Sequence, residues 1–405
     1  TLFRSANQQE WKKHIEARLA EKYPKMKIVA VRPCDDLKDK AQSEATALLS
    51  AYPNLKLLMN ICSPAVPGAA EAVKQAGYQW QAARAKADEI ATGYRGAKGF
   101  ASFEALLDAE PDIIHICTPN NLHLPQAKAA IERGINVIVE KPLAMNLSEA
   151  DQLLALKNNV SVTAMPFVYR YHAMVLELRS RLQSHPTNKL WLLHGTYLQD
   201  WLAESMTTNW RSNAAAGGAT RAFGDIGVHW FDLMEFVTGH RVTRLNANMS
   251  YVHKMDTEDG VVVSFETDQG AMGSAVISQC SAGYSNRLWF SFDGTEESYS
   301  FDQQAPETGW VGSLNDNKIV KRDPSKNHAI AVRPTAVPAG HPQGYQTCFN
   351  DFVVDAYQAV QNGGRSEVMA TFEDGHRAAQ LIDSVMQSVK TKSWVDVSSP
   401  VRDAK

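Results

Sequence analysis

Two short apolar runs separated by one helix-like segment restrict the fold of this 405-residue chain more than any other feature. The runs read "DIIHICTP" and "NVIVEKP", and "LPQAKAAIERG" between them has the pattern of a helix. Short apolar strands that alternate with helices are typical of parallel sheets whose two faces are both covered. The same alternation begins near Gln9 and continues to Val139. The sequence therefore predicts an α/β fold with a doubly wound, mostly parallel sheet in this part of the chain.

The pattern changes after about Val160, where strands become longer and alternate polar with apolar residues. Examples are "KLWLLHGTYLQDW", "GVVVSFETDQGAMGSAVISQCS" and "NRLWFSFDG". Such alternation is typical of antiparallel strands with one buried face. We predict that residues 161–405 form an α+β domain with a large, mostly antiparallel sheet and helices on one face. Two closing helices, "GYQTCFNDFVVDAYQAVQNGG" and "GHRAAQLIDSVMQSVKT", could pack back on the first domain.

The overall composition favours small-molecule chemistry over nucleic-acid or membrane binding. The 41 basic and 44 acidic side chains give a net charge of −3, which leaves no surplus for binding a phosphate backbone. No apolar run approaches the length of a membrane span. The cysteines are odd in number and lack C-x-x-C spacing, so we expect reduced thiols in a cytoplasmic protein and no disulfide framework. They are Cys34, Cys62, Cys117, Cys280 and Cys348.

Both apolar strands end in polar residues that could form a binding site. Ligands of doubly wound sheets bind outside the carboxyl ends of the strands. The alternative is an ordinary turn between strand and loop, because Pro and Asn are common in the turns of all kinds of protein. Polar ends on two consecutive strands favour the binding site. Its candidate residues are Thr118, Pro119, Asn120, His123, Glu140 and Lys141.

A second candidate cluster lies in "GDIGVHWFDLMEFVTG", where Asp225 and His229 are four residues apart and share one helical face. Oxidation of a hydroxyl needs a base of near-neutral pKa and a carboxylate that orients it or binds substrate, and this pair supplies both. The alternatives are a core histidine and a helix-capping aspartate. A metal site would need further clustered ligands. None is evident in the sequence, so we expect no metal.

Several of these motifs occur together in one known family. "DIIHICTPNNLHLPQAKAAIERGINVIVEKPLAMN", "PFVYRYH", "NWR", "GDIGVHWFDL" and "GHPQGY" resemble the Gfo/Idh/MocA family of NAD(P)-dependent dehydrogenases. The resemblance runs from about Tyr78 to the C-terminus. It implies that residues 78–160 complete a Rossmann-like nucleotide-binding domain. It also implies hydride transfer between NAD or NADP and a secondary hydroxyl of a sugar, polyol or inositol-like substrate, by a homo-dimer or tetramer.

The resemblance also implies roles for individual residues. Lys141 would polarise the substrate hydroxyl, Asp225 would bind substrate, and His229 would be the general base. Glu140 and Lys141 would lie at the nicotinamide end of the cofactor cleft. Further cofactor contacts are predicted for Thr118, Pro119, Asn120, His123, Arg84, Trp210 and Arg211. Further substrate contacts are predicted for Arg170, His341 and Tyr345.

The sequence departs from the family at the cofactor phosphates. No G-x-G-x-x-G motif occurs in the first 92 residues, and "CSPAVPG" stands where the glycine turn is expected. Pro64 and Pro67 lack the N–H donors that cradle a pyrophosphate, so we expect impaired cofactor binding. Arg84 and Lys86 replace the usual acidic residue. They would suit the 2′-phosphate of NADP, although charges at a helix start are a common alternative.

Residues 6–77 resemble part of a periplasmic sugar-binding protein of ABC importers, with "LLSAYPNLK" and "AAEAVKQAG" as the matching pieces. We interpret the chain as a chimera joined near Ala69 to Gly77. Thr1 to Ser5 equal the translation of a sequencing-library adapter, so we expect them to be a read artefact. Two alternative functions remain at this point: a sugar-binding fusion and a catalytically inert family member.

Overall fold

The computed structural model describes residues 97–203, 214–253, 255–333 and 336–397, with the isolated residues 45, 47 and 91. The predictions for residues 1–77, Arg84, Lys86, Trp210 and Arg211 therefore lie outside the described residues. The chain divides into two compact units, Thr1–Ala109 and Glu110–Lys405. In the first unit, helix α1 (Phe103–Leu107) begins after Ser102, whose hydroxyl accepts a hydrogen bond from the backbone N–H of Ala105. The other described helices and strands belong to the second unit.

The described residues form a three-stranded parallel sheet in the order β1-β2-β3. Its strands are β1 (Ile113–Ile116), β2 (Asn136–Val139) and β3 (Thr163–Ala164). Helix α2 (His123–Ile131) connects the first two strands, and α3 (Leu147–Ala155) connects the last two. The apolar side chains of β2 are buried, as the continuous apolar run predicts. The predicted parallel sheet is confirmed, and it extends past residue 160 because β3 pairs with β2.

A second sheet of nine strands fills most of this unit within the described residues, in the order β11-β10-β9-β8-β4-β7-β6-β5-β12. Its neighbouring strands are antiparallel except for the β4–β7 pair, which is parallel. The predicted large, mostly antiparallel sheet is therefore confirmed. The strands are β4 (Leu190–Leu198), β5 (Val242–Ser250), β6 (Gly260–Thr267), β7 (Met272–Ser278), β8 (Arg287–Gly294), β9 (Glu297–Asp302), β10 (Thr308–Ser313), β11 (Asn317–Lys321) and β12 (Val395–Asp396).

Helices cover the buried face of the large sheet. Helix α4 (Ala173–Gln183) contacts β9 and β10, α6 (Val228–Thr238) contacts β4 and β8, and α8 (Phe372–Thr391) contacts β5. The alternating strand pattern explains this face: in β6, Val261, Val263 and Phe265 are buried, whereas Val262 between them is half exposed. None of the described helices combines the length and apolar character that crossing a bilayer requires. The helices after β3 are α4 (Ala173–Gln183), α5 (Ala214–Gly217), α6 (Val228–Thr238), α7 (Tyr345–Asn362) and α8 (Phe372–Thr391).

Close packing at Gly195 fixes the position of α6 on the sheet. The indole N–H of Trp230 in α6 donates a hydrogen bond of 3.0 Å to the backbone oxygen of Trp289 in β8. A Cβ atom at Gly195 would lie 2.2 Å from that oxygen and 2.5 Å from the indole nitrogen. Only glycine therefore allows this contact. Because His229 precedes Trp230 in the chain, the contact also anchors a candidate site residue.

We predict that Gly195→Ala lowers the free energy of unfolding by about 1–3 kcal/mol, because the added methyl overpacks a buried site whose nearest atom is backbone. Guanidinium denaturation would measure the loss. The control is Gly364→Ala, where a Cβ has no atom within 4 Å. Equal denaturation midpoints for the two variants would contradict the prediction.

Candidate active site

An open cavity of about 900 Å³ lies at the carboxyl ends of the parallel strands. Thr118 and Asn120 line it after β1, and Glu140 and Lys141 line it after β2. Parallel strands end at the same edge of their sheet, which is why these polar residues meet. The opposite wall comes from distant parts of the sequence. It includes Tyr169, Tyr197, Gln199, Asp225, His229 and Tyr345.

Lys141 and Asp225 form an ion pair in this cavity. The ammonium of Lys141 donates to the Oδ1 atom of Asp225 and also donates a hydrogen bond of 2.6 Å to the backbone oxygen of Asp225. The two side chains are only 13% and 18% exposed, so water screens their attraction weakly. Asp225 lies in a short π-helix, Phe223–Gly227, a distortion that is frequent at functional sites. The two predicted clusters therefore come together in one cavity.

His229 lines the same cavity and is held by aromatic neighbours. Its ring meets those of Tyr169 and Phe167 edge to face, with centroids 5.1 and 5.5 Å apart. Within the described structure, its Nδ1 atom is buried and has no hydrogen-bond partner. Burial first, and then the nearby ammonium of Lys141, hold the pKa of His229 well below 6.5, although Asp225 opposes them. The imidazole is therefore neutral near pH 7 and can accept a proton.

The remaining predicted residues at the strand ends hold the loops together. The ring nitrogens of His123 lie 2.9 Å from the backbone oxygens of Thr118 and Pro142, which tie the ends of β1 and β2 to each other. The amide of Asn120 donates a hydrogen bond of 2.7 Å to the backbone oxygen of Gly217. Pro119 precedes a short 3₁₀ turn. The residues that line the cavity do not include Pro119 or fully buried His123, so their cofactor contacts stay predictions.

Arg170, predicted to bind substrate, has other partners in the structure, so its substrate contact stays a prediction. Its guanidinium is buried and already paired with two carboxylates, Asp232 of α6 and Asp374 of α8. The bond from its Nε atom to Asp232 is 2.8 Å long, and so is the bond from Nη2 to Asp374. Arg170 does not line the cavity. Arg170 joins α6 to α8 through these two ion pairs.

The two residues predicted near the end of the chain have different surroundings. Tyr345, the first residue of α7, lines the cavity, and burial raises the pKa of its hydroxyl. His341 is exposed, and its backbone oxygen accepts a hydrogen bond of 2.7 Å from Arg322. His341 is not among the residues that line the cavity, so its substrate contact stays a prediction.

Sequence reasoning missed Tyr169, Tyr197 and Gln199 in the cavity wall. Tyr169 lies in the motif "PFVYRYH", beside Arg170, the predicted substrate contact. Tyr197 is buried near the end of β4, and Gln199 follows two residues later and so points to the same side of the strand. The alternation along β4 could have revealed this pair. The other missed lining residues are Cys117, Pro166, Ile226 and Phe349.

One group among the described residues has three side chains at metal-ligand spacing: His253, Asp259 and Cys280. Its carboxylate is already paired with the buried guanidinium of Arg221. The backbone N–H of His253 donates a second hydrogen bond, of 2.8 Å, to the same carboxylate. We therefore interpret the group as a buried ion pair next to the cavity.

The cavity combines a lysine, a carboxylate and a neutral imidazole where the strands of the parallel sheet end. Comparison with family models points to the class of oxidoreductases. Residues 41–167 match the oxidoreductase family with an NAD-binding Rossmann fold, and residues 175–300 match the GFO/IDH/MocA C-terminal domain. These matches cover more than half of the chain, which therefore belongs to the Gfo/Idh/MocA oxidoreductase family.

Similar proteins include several named dehydrogenases. Levoglucosan dehydrogenase of Pseudarthrobacter phenanthrenivorans is 27% identical over 346 residues, which is 77% of this chain and 86% of the relative. Glucose-6-phosphate 3-dehydrogenase of Bacillus subtilis is 27% identical over 313 residues, 75% of this chain and 86% of the relative. Both relatives are named as dehydrogenases.

Solved structures show the same similarity. Levoglucosan dehydrogenase in complex with NADH and levoglucosan has a TM-score of 0.72 and 26% identity over 78% of this chain and 89% of its own. An inositol dehydrogenase homolog from Azotobacter vinelandii with NADH and myo-inositol has a TM-score of 0.70 at 21% identity, over 77% of this chain and 87% of its own. The second likeness concerns the fold alone.

The described residues fit the nicotinamide end of such a cofactor. A hydroxyl, an amide and a carboxylate, from Thr118, Asn120 and Glu140, line the cavity beside Lys141. These groups offer the donors and acceptors that a nicotinamide amide and ribose require. The turn that would hold the phosphates lies outside the described residues.

We predict that His229 stays neutral when the pH falls through 6.5, because burial and Lys141 disfavour the imidazolium. In the unfolded chain, a histidine protonates near 6.5, so the free energy of unfolding should also decrease as the pH falls below that value. NMR titration of the ring signals would measure the midpoint, with His229→Asn used to assign them. A midpoint at or above 6.5 would contradict the prediction.

Proposed function

We propose that this chain transfers hydride between NAD or NADP and a secondary hydroxyl of a sugar, polyol or inositol-like substrate. The observation that carries the proposal is the meeting of Lys141, Asp225 and His229 in one cavity beside the strand-end residues. A catalytically inert member would have no need for this combination. The names of its relatives, which include levoglucosan dehydrogenase and glucose-6-phosphate 3-dehydrogenase, support the substrate class.

Each residue of the trio has a distinct chemical task in the proposal. Neutral His229 accepts the hydroxyl proton, and its lowered pKa keeps the imidazole unprotonated and free to do so near pH 7. The ammonium of Lys141 stabilises negative charge that develops on the substrate oxygen. Asp225 holds that ammonium and accepts a hydrogen bond from a neighbouring substrate hydroxyl. The bound nicotinamide would supply the hydride acceptor or donor.

The rest of the wall suits the ring of a sugar or cyclic polyol. Tyr169, Tyr197, Tyr345 and Phe349 present aromatic surface that can pack on apolar C–H faces. Gln199 adds an amide that can bind hydroxyl groups. Such a wall combines apolar contact with a few polar groups that fix orientation, as small-molecule sites commonly do.

The choice between NAD and NADP and the strength of cofactor binding belong to the same proposal. Arg84 would favour NADP, and the prolines of "CSPAVPG" would weaken phosphate binding. The hypothesis that residues 6–77 derive from a sugar-binding protein stays a prediction. The match to the NAD-binding model begins at residue 41, inside that segment, which favours a nucleotide-binding role for residues 41–77. A cytoplasmic location also stays a prediction.

We predict that the purified chain binds NADH or NADPH and oxidises at least one of levoglucosan, myo-inositol and glucose 6-phosphate. Nicotinamide fluorescence would measure binding, and absorbance of the reduced cofactor would measure turnover. Lys141→Ala should reduce kcat by about 100- to 1000-fold, because the developing oxyanion loses its charged donor.

The matched control is Lys128→Ala, which removes a lysine whose side chain is 51% exposed and lies on helix α2. It should leave kcat unchanged. No binding of either cofactor at millimolar concentration would contradict the proposal. Free-sugar binding without cofactor binding would favour the sugar-binding alternative.

We further propose that the chain forms a homo-dimer or tetramer through the outer face of the large sheet. On this face, Val262 of β6 lies directly opposite Val276 of β7, and Met272 of β7 lies four positions further along the pairing. These side chains are 47%, 39% and 59% exposed, respectively. Neighbouring exposed apolar residues on a sheet mark an interaction surface.

We predict that Val276→Lys shifts the oligomer toward monomer, because a buried unpaired charge would be costly at the interface. Light scattering at micromolar concentration would measure the mass. The control is Leu314→Lys, at a fully exposed residue in the turn between β10 and β11. A wild-type monomer, or equal masses for both variants, would contradict the proposed interface.

A further inference from the structure

A buried glutamine lies directly behind the ion pair of the cavity. Gln279 follows β7 and is fully buried. Its Nε2 atom donates a hydrogen bond of 2.7 Å to the Oδ2 atom of Asp225. The other carboxylate oxygen, Oδ1, accepts from Lys141. Each oxygen of Asp225 therefore has its own donor, and the carboxylate cannot rotate without breaking one of the two bonds.

Burial of the Gln279 side chain costs free energy, and a role in the candidate site would explain why a glutamine occupies this position. Within the described structure, its Oε1 atom is buried and has no hydrogen-bond partner. Leaving a buried acceptor unsatisfied costs free energy, and such groups in native structures often have a catalytic or positioning role. A leucine would avoid that cost but would leave Asp225 without its second donor.

The same glutamine connects the ion pair to the tyrosines of the cavity wall. Its Nε2 atom lies 3.4 Å from the Oε1 atom of Gln199. Gln199 donates a hydrogen bond of 2.8 Å to the side chain of Asn286, which in turn lies 3.4 Å from the hydroxyl of Tyr169. The hydroxyls of Tyr169 and Tyr197 are hydrogen-bonded to each other. Neutral amides therefore link Asp225 to the tyrosines of the cavity wall.

We propose that Gln279 is a positioning residue for catalysis: it fixes the Asp225 carboxylate so that Lys141 points its ammonium into the cavity. The inference rests on the proposed function for its kinetic consequence, whereas its geometric part stands independently. Gln279 is not one of the residues that line the cavity, so it acts through Asp225.

Replacing the amide by a carboxyl group gives a sharp test. In Gln279→Glu, the protonated carboxyl can donate to Asp225 as the amide does, whereas the ionised carboxyl repels it. Around this position, the described titratable groups include Asp225, Lys141, His229 and Asp259, whose backbone oxygen accepts a hydrogen bond from the N–H of Gln279. They also include the thiol of Cys280, whose pKa burial raises to about 12. Activity of Gln279→Glu, divided by that of wild type at each pH, should therefore rise as the pH falls.

The companion variant is Gln279→Leu, which has no donor at any pH. We expect its kcat to fall by about 10- to 100-fold with little change in KM, because a misplaced Lys141 affects the transition state more than binding. The control is Gln269→Leu, at an exposed glutamine in the turn between β6 and β7, which should match wild type. A purely structural role would give Gln279→Glu a ratio that does not change with pH.

Crystal structures of wild type and Gln279→Leu would decide the geometric part even if the wild-type chain proves inactive on every substrate. We expect the Asp225 carboxylate to rotate and the ion pair with Lys141 to lengthen in the variant. An unchanged carboxylate would overturn the inference. If Gln279→Leu does not fold, the structure of Gln279→Glu at low and high pH provides the same comparison. An inactive wild type with a rotated carboxylate would reject the proposed function alone.

Discussion

The ion pair between Lys141 and Asp225 is the interaction on which the candidate site depends. Lys141 follows a strand of the parallel sheet, whereas Asp225 lies in the π-helix that leads into α6 on the large sheet. One contact therefore joins the end of the parallel sheet to the segment that carries Asp225 and His229. Because both side chains are mostly buried, their attraction is weakly screened. The ammonium of Lys141 also lowers the pKa of His229, whereas the carboxylate of Asp225 raises it.

The sequence predicted the parts of this site that depend on local patterns. Apolar strands that stop at polar residues located Thr118, Asn120 and Lys141, because strand ends in a parallel sheet share one edge. The four-residue spacing placed Asp225 and His229 on one wall. Both large-scale predictions, a doubly wound sheet and a mostly antiparallel sheet, followed from the period of the hydrophobic pattern.

Residues that meet only through long-range pairing could not be found in this way. Gln199 and Gln279 follow β4 and β7, and these strands become neighbours through a parallel pair that no local pattern reveals. The surroundings of Arg170 show the same limit. An arginine in a cleft motif suggests a ligand contact, but the two carboxylates that pair with it come from helices 62 and 204 residues further along the chain.

The choice of amides around the ion pair has an electrostatic reason. A charged residue in place of Gln279 or Gln199 would either compete with Lys141 for the carboxylate or repel it at short range, in a region where screening is weak. An amide supplies a donor without changing the net charge of the pair. The network can therefore hold Asp225 in place while His229 remains the group that changes protonation in the proposed reaction. Such preorganised neutral dipoles keep their alignment throughout a proton transfer, which is the property that electrostatic catalysis requires.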